Sequence, residues 1–471
     1  MKTARFFTLI ILSLCLLCPQ MLSAQGRRDN TARDSLRREM RRIARLRARE
    51  VEPVRIDSAL LEGNMRMVGT DGRIALSLEG GGARGLYHIG VIKALEENDI
   101  PIDYISGTSM GAIIAALYAA GYSPEEIEAV ATSGQVEEWV SGKIDERYKF
   151  FYNERENTPS MFSIYADVES DTLRSRSSLN LALPHSFINT AQIDMALIEL
   201  LSPASAAAGG DFDRLMIPFR AVASDMNLHE AVVYRRGDLP FVVRASMSYP
   251  LLFRPVTDAE GRVLVDGGVY NNFPWQPLEE DFKPDFHIGS LCLDGREAAT
   301  QESSVEKQVM SLVTMPTDYS LPEGQSLIIK RNVDASVIDF AQGRQIIEAG
   351  YEDAMAMMPE LKRRFTSRRT VEQVAQRREA FRERCPELMI GGGDIEGLRL
   401  RQKRYARTFL EFKEPRRDST DRDVHSFYKM RDRFFSLMAT SEFNINSFPR
   451  MRYDSLHDDF NLTLDLSVKP K

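Results

Sequence analysis

One serine of this sequence stands in a setting suited to nucleophilic chemistry. Ser109 has a glycine two positions before it and two positions after it, Gly107 and Gly111. The residues around it predict an apolar strand over 102–105 and a helix of small residues over 110–120. A tight strand-to-helix turn lifts a serine hydroxyl off the sheet and places it above the positive end of the next helix. We therefore predict that Ser109 is the nucleophile of an acyl-transfer reaction.

A glycine-rich loop earlier in the chain can supply the second requirement of that chemistry. It lies between an apolar strand predicted at 74–78 and a helix predicted at 86–97. Acyl transfer builds negative charge on a carbonyl oxygen, which backbone N–H groups stabilise when no side chain blocks their approach. The predicted oxyanion-hole residues are Gly80, Gly81, Gly82, Arg84 and Gly85.

The same loop also fits the G-x-G-x-x-G pattern of dinucleotide-binding sites. Such a site requires an acidic residue near the end of the second strand, where it binds the ribose. Asp103 is the candidate, but it lies near the start of that strand. The end of the strand continues instead into the turn with Ser109. A hydrolase is therefore favoured, and a nucleotide-binding site remains the alternative.

A serine nucleophile needs a base, and none of the six histidines stands in a persuasive catalytic setting. His88, in the helix after the glycine loop, is expected to pack in the core. An acid does stand out: Asp266 ends the apolar run 263–265 and is followed by Gly267 and Gly268. Asp-Gly-Gly is also common turn chemistry, so a purely structural role is the alternative.

The elements between these motifs predict an α/β fold. Strand and helix alternate from residue 74, which indicates a mainly parallel sheet covered by helices. Further strands are predicted at 219–223, 231–234 and 263–265, and residues 125–215 are predicted to form mostly helices and loops. Aromatic residues of that stretch could roof a lipid site, although aromatic side chains more often belong to a core; they are Trp139, Phe150, Phe151, Tyr152 and Phe162.

Together, the glycine loop, the Ser109 pentapeptide and the Asp266-Gly267-Gly268 turn resemble the three motifs of patatin-like phospholipases. The segment 244–250, with the residues that follow it, is also similar to that family. The resemblance covers about residues 73–360, with the motifs inside 74–280, and it implies a patatin-like three-layer fold. It further implies a Ser109–Asp266 dyad, no catalytic histidine, no cofactor and no metal. The substrate implied is a phospholipid or lysophospholipid at a membrane surface.

The two ends of the chain carry predictions about location. Residues 1–24 combine positive charge, a short apolar run and a small residue at the expected cleavage site, which is typical of a secretory signal. Residues 25–72 are predicted to be an Arg-rich linker or a thin amphipathic helix. The expected location is therefore the periplasm or the outer membrane, with secretion beyond it also possible. Removal of the signal leaves Cys292 and Cys385, which we expect to be inert thiols.

The last part of the chain is predicted to be a separate module. A helical linker is expected over 361–392, followed by an α+β module over 393–471. That module is predicted to contain a strand at 398–400, helices at 402–412 and 422–437, and a strand at 460–468. It resembles a POTRA domain, which implies a possible outer-membrane protein as partner.

Composition limits the remaining functions. The 471 residues carry a net charge of −7, which argues against nucleic acid as a partner because phosphate binding needs a basic face. Two alternatives to a lipid acyl hydrolase stay open. One is a periplasmic binding or assembly module in which hydrolysis is secondary, and the other is an esterase for small substrates.

Overall fold

The computed structural model of the protein describes most of the chain beyond residue 71. The described residues are 72–142, 148, 163–171, 174–182, 188–293, 308, 311, 314–412, 424–440 and 442–469. The predicted signal segment 1–24 and nearly all of the predicted linker 25–72 lie outside these residues. None of the described helices has the length and apolar character needed to cross a membrane.

The strands of the first part of the chain form one large sheet and one separate hairpin. In chain order they are β1 (Ile74–Leu78), β2 (Tyr104–Thr108), β3 (Ser163–Asp171), β4 (Arg174–Ala182), β5 (Phe219–Asp225), β6 (Glu230–Tyr234), β7 (Val256–Thr257), β8 (Val263–Asp266), β9 (Phe286–Leu293) and β10 (Ser326–Asn332). The large sheet has eight strands in the order β10-β9-β1-β2-β5-β8-β7, with β6 also paired to β5. β3 and β4 pair only with each other.

The direction of the strands decides where their loops meet. β10, β9, β1, β2 and β5 are parallel, whereas β8 runs antiparallel to β5. The loops that leave β1, β2 and β5 therefore emerge at one edge of the sheet, which we call the carboxyl edge. All five residues of β1 and of β2 are buried, as expected for inner strands covered on both faces.

Helices cover the sheet. They are α1 (Tyr87–Glu97), α2 (Met110–Ala119), α3 (Pro124–Ala131), α4 (Gln135–Ser141), α5 (Ala191–Ala208), α6 (Leu239–Ser246), α7 (Gln276–Phe282), α8 (Gly343–Arg364) and α9 (Val371–Arg382). Short 3-10 helices occur at 82–86, 212–214 and 267–269. α2 is almost entirely buried because its sequence consists of small and apolar residues. The arrangement is the α/β fold with a mainly parallel central sheet that the sequence predicts.

The C-terminal region forms a second, smaller sheet with two helices. Its elements are β11 (Met389–Glu396), α10 (Leu400–Phe409), β12 (His425–Ser426), α11 (Phe427–Ala439), β13 (Phe443–Ile445), β14 (Arg450–Asp454) and β15 (Asp459–Val468). β15 lies between β11 on one side and β13 and β14 on the other. Its apolar side chains Leu462, Leu464 and Leu466 are fully buried. An α+β region therefore follows the first domain, as predicted.

This region and the stretch before it pack against the first domain. In α9, Arg378 forms a buried ion pair with Glu96 of α1 at 2.9 Å. In α11, Arg431 pairs with Glu199 of α5 at 2.5 Å. Buried apolar residues of both sheets share one hydrophobic core, while Ala75 of β1 and Tyr104 of β2 form a separate cluster with Leu278. The predicted boundaries at residues 360 and 392 stay predictions.

Two secondary-structure predictions are wrong. The strand predicted at 398–400 is instead β11, which ends at Glu396, and Leu400 begins a helix. The three glycines 391–393 lie inside that strand, where neighbouring atoms leave no room for a side chain. A Cβ on Gly391 would lie 1.8 Å from Asp459 Oδ2. The prediction of mainly helices and loops over 125–215 missed the β3–β4 hairpin.

Candidate active site

Ser109 occupies the turn between β2 and α2 at the carboxyl edge. Its backbone has φ 54° and ψ −122°, a conformation that side-chain-bearing residues rarely adopt. The flanking glycines make the turn possible, because a Cβ on Gly107 would lie 2.2 Å from the Gly111 carbonyl oxygen. A Cβ on Gly111 would lie 2.6 Å from the carbonyl oxygen of Leu78 in β1. The hydroxyl of Ser109 is thus presented above the amino end of α2, where the helix favours negative charge.

Asp266, at the end of β8, lies directly against this serine. The Ser109 hydroxyl donates a hydrogen bond of 2.6 Å to Asp266 Oδ2. The other carboxylate oxygen accepts the Gly268 N–H at 2.8 Å, so the Asp-Gly-Gly turn fixes the carboxylate plane. The side chain is 3% exposed. Burial raises the pKa of Asp266 to about 6, against the opposing effect of the hydrogen bonds from Ser109 and Gly268.

The end of α6 and the residues just after it connect both members of this pair. The Ser246 hydroxyl accepts the Ser109 N–H at 3.0 Å and donates to the Val222 carbonyl at 2.6 Å. Two residues later, the Ser248 carbonyl accepts the Asp266 N–H at 2.9 Å. Ser246 and Ser248 therefore set the spacing between the nucleophile and the carboxylate.

A buried cation holds that segment in place. The Arg244 guanidinium is 1% exposed and pairs with Asp194 of α5 at 2.7 Å. It also donates to the Ser248 hydroxyl at 2.6 Å. An arginine without its partner would be costly in this interior, so the pair fixes the segment to α5.

The glycine loop is held from behind by a network around Glu79. The carboxylate of this residue, 1% exposed, accepts hydrogen bonds from Tyr319 OH at 2.6 Å and the Cys292 N–H at 3.0 Å. It also accepts from Asn272 Nδ2 at 3.2 Å, and the same amide group donates to the Gly80 carbonyl at 3.0 Å. The network fixes the peptide planes at the start of the loop next to Ser109.

His88 contributes to the same support and not to proton transfer. It is fully buried, with Nδ1 2.7 Å from Ser290 Oγ and Nε2 2.8 Å from the Glu79 carbonyl oxygen. Burial lowers the pKa of His88 to about 4, so the ring is neutral at pH 7. Its Nε2–H donates to the Glu79 carbonyl, and the predicted packing role in the core agrees with this placement.

The glycine loop offers only part of its backbone to a substrate. The Gly80 N–H donates to the Asn272 carbonyl and the Ala83 N–H to the Val337 carbonyl. Between them, Gly81 and Gly82 have no backbone acceptor among the described residues, and Gly82 has φ +57°. Arg84 and Gly85 lie in the 3-10 helix 82–86 that follows. Within the described residues, the loop's backbone is thus engaged at Gly80 and Ala83 and donates to no backbone carbonyl at Gly81 and Gly82.

An apolar cavity opens at Ser109. Its empty space, including open space on the solvent side, is about 980 Å³. Ile113 and Leu117 line it along α2, a helix that carries the wall roughly 10 Å away from the serine. Leu197 of α5 and Trp139 of α4 line it as well. The shape and lining suit a long hydrocarbon chain whose carbonyl end lies at Ser109.

Of the aromatic residues predicted as a roof, the structure describes one. Trp139 lines the cavity. Phe150, Phe151, Tyr152 and Phe162 lie outside the described residues.

Asp103 does not lie where a dinucleotide-binding site would need its acidic residue. Asp103 precedes β2 at the amino end of the strand, opposite the carboxyl edge. Its carboxylate accepts the Ile74 N–H at 2.9 Å and pairs with Arg369 at 2.8 Å. It therefore cannot bind a ribose beside the glycine loop. In the part of the chain that the structure describes, no group of His, Cys, Asp or Glu side chains is arranged to hold a metal ion.

Sequence reasoning missed several residues that build this site. Ser246 lies in the segment 244–250, whose resemblance to the family assigns this serine no role. Glu79 directly precedes the glycine pattern, and neither Asn272 nor Tyr319 belongs to a predicted motif. A polar residue shortly after the Asp-Gly-Gly turn was the available signal for Asn272, whereas Tyr319 reaches Glu79 from a distant loop that no local pattern reveals.

A serine on a strand-to-helix turn, bonded to a buried carboxylate and open to an apolar cavity, is the arrangement of a serine hydrolase with an acidic base. Comparison with known proteins is more specific. Residues 76–279 match the family described as Patatin-like phospholipase. This part of the chain is therefore similar to patatin-like phospholipases.

Individual proteins show the same similarity. The human Patatin-like phospholipase domain-containing protein 6 is 33% identical over 206 residues, which are 44% of this chain and 12% of that protein. Lysophospholipase NTE1 of Cryptococcus neoformans var. neoformans is 32% identical over 211 residues, 44% of this chain and 10% of that protein. The chain thus spans about a tenth of these relatives. The crystal structure of VipD from Legionella pneumophila aligns at 15% identity with a TM-score of 0.32, covering 63% of this chain and 67% of VipD.

Proposed function

We propose that this protein hydrolyses the carboxylic ester bonds of phospholipids or lysophospholipids through Ser109 and Asp266. The observation that carries the proposal is the 2.6 Å hydrogen bond between the two side chains at the opening of a large apolar cavity. The family match and the name of Lysophospholipase NTE1 support the substrate class.

The first half of the reaction is acylation of the serine. The acyl chain lies in the cavity, so its carbonyl carbon faces Ser109 Oγ. As the oxygen attacks, its proton passes to Asp266 Oδ2 along the existing hydrogen bond. The amides of Gly81 and Gly82 and the amino end of α2 stabilise the developing oxyanion. When the intermediate collapses, Asp266 returns the proton to the leaving alcohol of the lipid.

The second half is hydrolysis of the acyl-enzyme. A water molecule takes the place of the leaving alcohol, and Asp266 removes its proton as the oxygen attacks the acyl carbon. Asp266 then returns that proton to Ser109 Oγ as the ester bond breaks, which releases the fatty acid. A pKa near 6 makes Asp266 a better base than an exposed carboxylate while leaving it mostly ionised at pH 7.

A fluorophosphonate probe, which reacts with activated serines, tests the nucleophile. The wild-type protein is expected to be labelled, and Ser109→Ala to be unlabelled. Ser141→Ala is a matched control, because this serine lies at the exposed end of α4 and bonds locally to the Glu138 carbonyl. Labelling of Ser109→Ala at the wild-type rate would contradict the assignment.

The cavity favours a lipid over a small ester as substrate. A small ester would leave most of the apolar lining exposed to water, which costs free energy. Comparison of rates on short-chain esters and on phospholipid vesicles separates the two. Faster turnover of the short-chain esters would favour the small-substrate esterase.

We also propose that the protein is exported and acts in the periplasm or at the outer membrane. The support is the charge and hydropathy pattern of residues 1–24. The mature protein is expected to begin at Gln25, which mass spectrometry of its amino terminus measures. Recovery of the chain with Met1 intact from the cytoplasmic fraction would contradict export.

For the C-terminal region we propose a POTRA-like docking role toward an outer-membrane protein. The support is its α+β composition, with the element order β11-α10-β12-α11-β13-β14-β15 over residues 389–468. Chemical cross-linking in isolated outer membranes is expected to give an adduct whose linked peptides fall within this region. Cross-links confined to the first domain would contradict it.

A further inference from the structure

Exposed apolar side chains of the first domain are concentrated in a few loops. Over residues 72–342, as far as the structure describes them, five large apolar side chains are classed as exposed. They are Met226 (45%), Leu228 (63%), Leu251 (45%), Met315 (56%) and Ile338 (48%). Single exposed apolar residues need no explanation, whereas a group on one face indicates a contact surface.

Two of them extend beyond the nucleophile at the carboxyl edge. β5 is parallel to β2, and Val222 lies opposite Thr108. β5 continues for three residues to Asp225, which places its end about 10 Å beyond the level of Thr108. Met226 and Leu228 lie in the turn that follows, so their side chains project from this edge.

The other three lie beside the catalytic elements. Leu251 is three residues after Ser248, whose carbonyl accepts the Asp266 N–H. Met315 donates its N–H to the carbonyl of Val269, three residues after Asp266, at 2.7 Å. Ile338 lines the cavity itself, and the carbonyl of the preceding Val337 accepts the Ala83 N–H of the glycine loop.

All five side chains therefore lie in segments beside the catalytic elements or the cavity, and we name them the apolar rim. Elsewhere in the described part of residues 72–342 the exposed surface carries no large apolar side chain of this exposure. The rim is continuous with the apolar cavity through Ile338. A ligand with an extended apolar surface, and not a single hydrocarbon chain alone, can contact both the rim and the cavity.

We propose that the apolar rim inserts into the surface of a phospholipid bilayer and docks the cavity mouth on it. An acyl chain can then pass from the bilayer into the cavity without crossing water, which would be unfavourable for every methylene group. The partner is the lipid surface, and the inference rests on the proposed function because the cavity must receive an acyl chain. The chain has a net charge of −7, so docking depends on apolar insertion and not on attraction to anionic lipid.

Vesicle binding without turnover tests the proposal. The Ser109→Ala protein, which leaves the lipid intact, is sedimented with phosphatidylcholine vesicles at low and at high salt. We expect binding that salt does not weaken. Adding Met226→Ser and Leu228→Ser is expected to lower the partition coefficient at least about tenfold, because two large apolar side chains no longer enter the bilayer. These residues touch neither the dyad nor the cavity, so hydrolysis of a soluble short-chain ester by the otherwise wild-type double variant stays unchanged.

The matched control carries Met355→Ser and Leu456→Ser, which replace exposed apolar side chains on α8 and in the C-terminal region. This control is expected to bind like the parent. The proposal would be overturned if the rim variant bound vesicles as well as the parent, or if the control lost as much binding as the rim variant. Loss of binding by the parent at high salt would overturn it as well. Self-association through Met226 and Leu228 with no vesicle binding would make the rim a protein interface and overturn it too. If vesicles bind but the wild type releases no fatty acid, the proposed function fails and the docking surface stands.

Discussion

Replacing Asp266 with asparagine is expected to stabilise the folded protein at neutral pH while it removes the proposed base. The carboxyl group has a pKa of 3.8 in an unperturbed chain and of about 6 in the fold, because burial disfavours its charge. Between these values the native state binds a proton that the unfolded state has lost. The free energy of unfolding of the wild type therefore falls as pH rises from about 4 through 6.

The size of the effect follows from the same two values. A pKa raised from 3.8 to about 6 on folding corresponds to about 3 kcal/mol against the folded state once the group is ionised. Asp266→Asn has no such charge. Its unfolding free energy relative to the wild type should rise by about this amount between pH 4 and pH 7.5. Constant packing differences between Asp and Asn cancel in that comparison.

Urea unfolding followed by circular dichroism across this pH range is the assay. Asp258→Asn is the control. Although burial acts in the opposite direction, hydrogen bonds from Arg262 lower the pKa of Asp258. Its charge favours the folded state at every pH above its ordinary pKa of 3.8, so the stability difference between that variant and the wild type should stay nearly constant over this range. A difference between Asp266→Asn and the wild type that does not change with pH would refute the reasoning that Asp266 is a strained, desolvated base.

Further predictions concern rate and specificity. The kcat/KM of the wild type on a soluble ester should fall about tenfold per pH unit below about 6, because Asp266 must be ionised; a flat profile to pH 5 would contradict this. Ser246→Ala should lower kcat by about tenfold or more with unchanged circular dichroism, because the Ser109 N–H loses its acceptor; unchanged kcat would show that Ser246 is structural only. Glu79→Gln should lower kcat more than it raises KM, because the glycine loop loses part of its support; a change in KM alone would indicate a substrate-binding role. Ala196→Phe should reduce hydrolysis of long-chain esters at least about tenfold and spare short-chain esters, because this residue lines the cavity; equal loss on both would place the acyl chain elsewhere.

Local patterns predict the parts of the site that are formed by adjacent residues. The nucleophile turn, the Asp-Gly-Gly turn and the strands at 74–78 and 219–225 all carry their own signals, since glycine positions and apolar runs report backbone geometry and burial directly. Parallel strands then bring the ends of β1 and β2 to one edge, so the proximity of the glycine loop to Ser109 also follows from topology.

Contacts between distant segments could not be predicted in this way. Tyr319 and Glu79 are 240 positions apart, and Ser246 reaches Ser109 over 137 positions. A side-chain hydroxyl group leaves no pattern in the sequence that identifies its hydrogen-bond partner. The amide of Gly80 illustrates the same point, because only the fold shows that the Asn272 carbonyl accepts it. The glycine loop was therefore predicted as a whole, whereas the structure limits the available donors to part of it.

Mass spectrometry of the products released from defined phospholipids and lysophospholipids tests the central claim most directly. The wild-type protein should release free fatty acid and the corresponding deacylated lipid, and Ser109→Ala should release neither above background. Fatty acid release by Ser109→Ala at the wild-type rate would contradict Ser109 as the nucleophile. No release by the folded wild-type protein from any lipid of the set would contradict the proposed lipid acyl hydrolase activity.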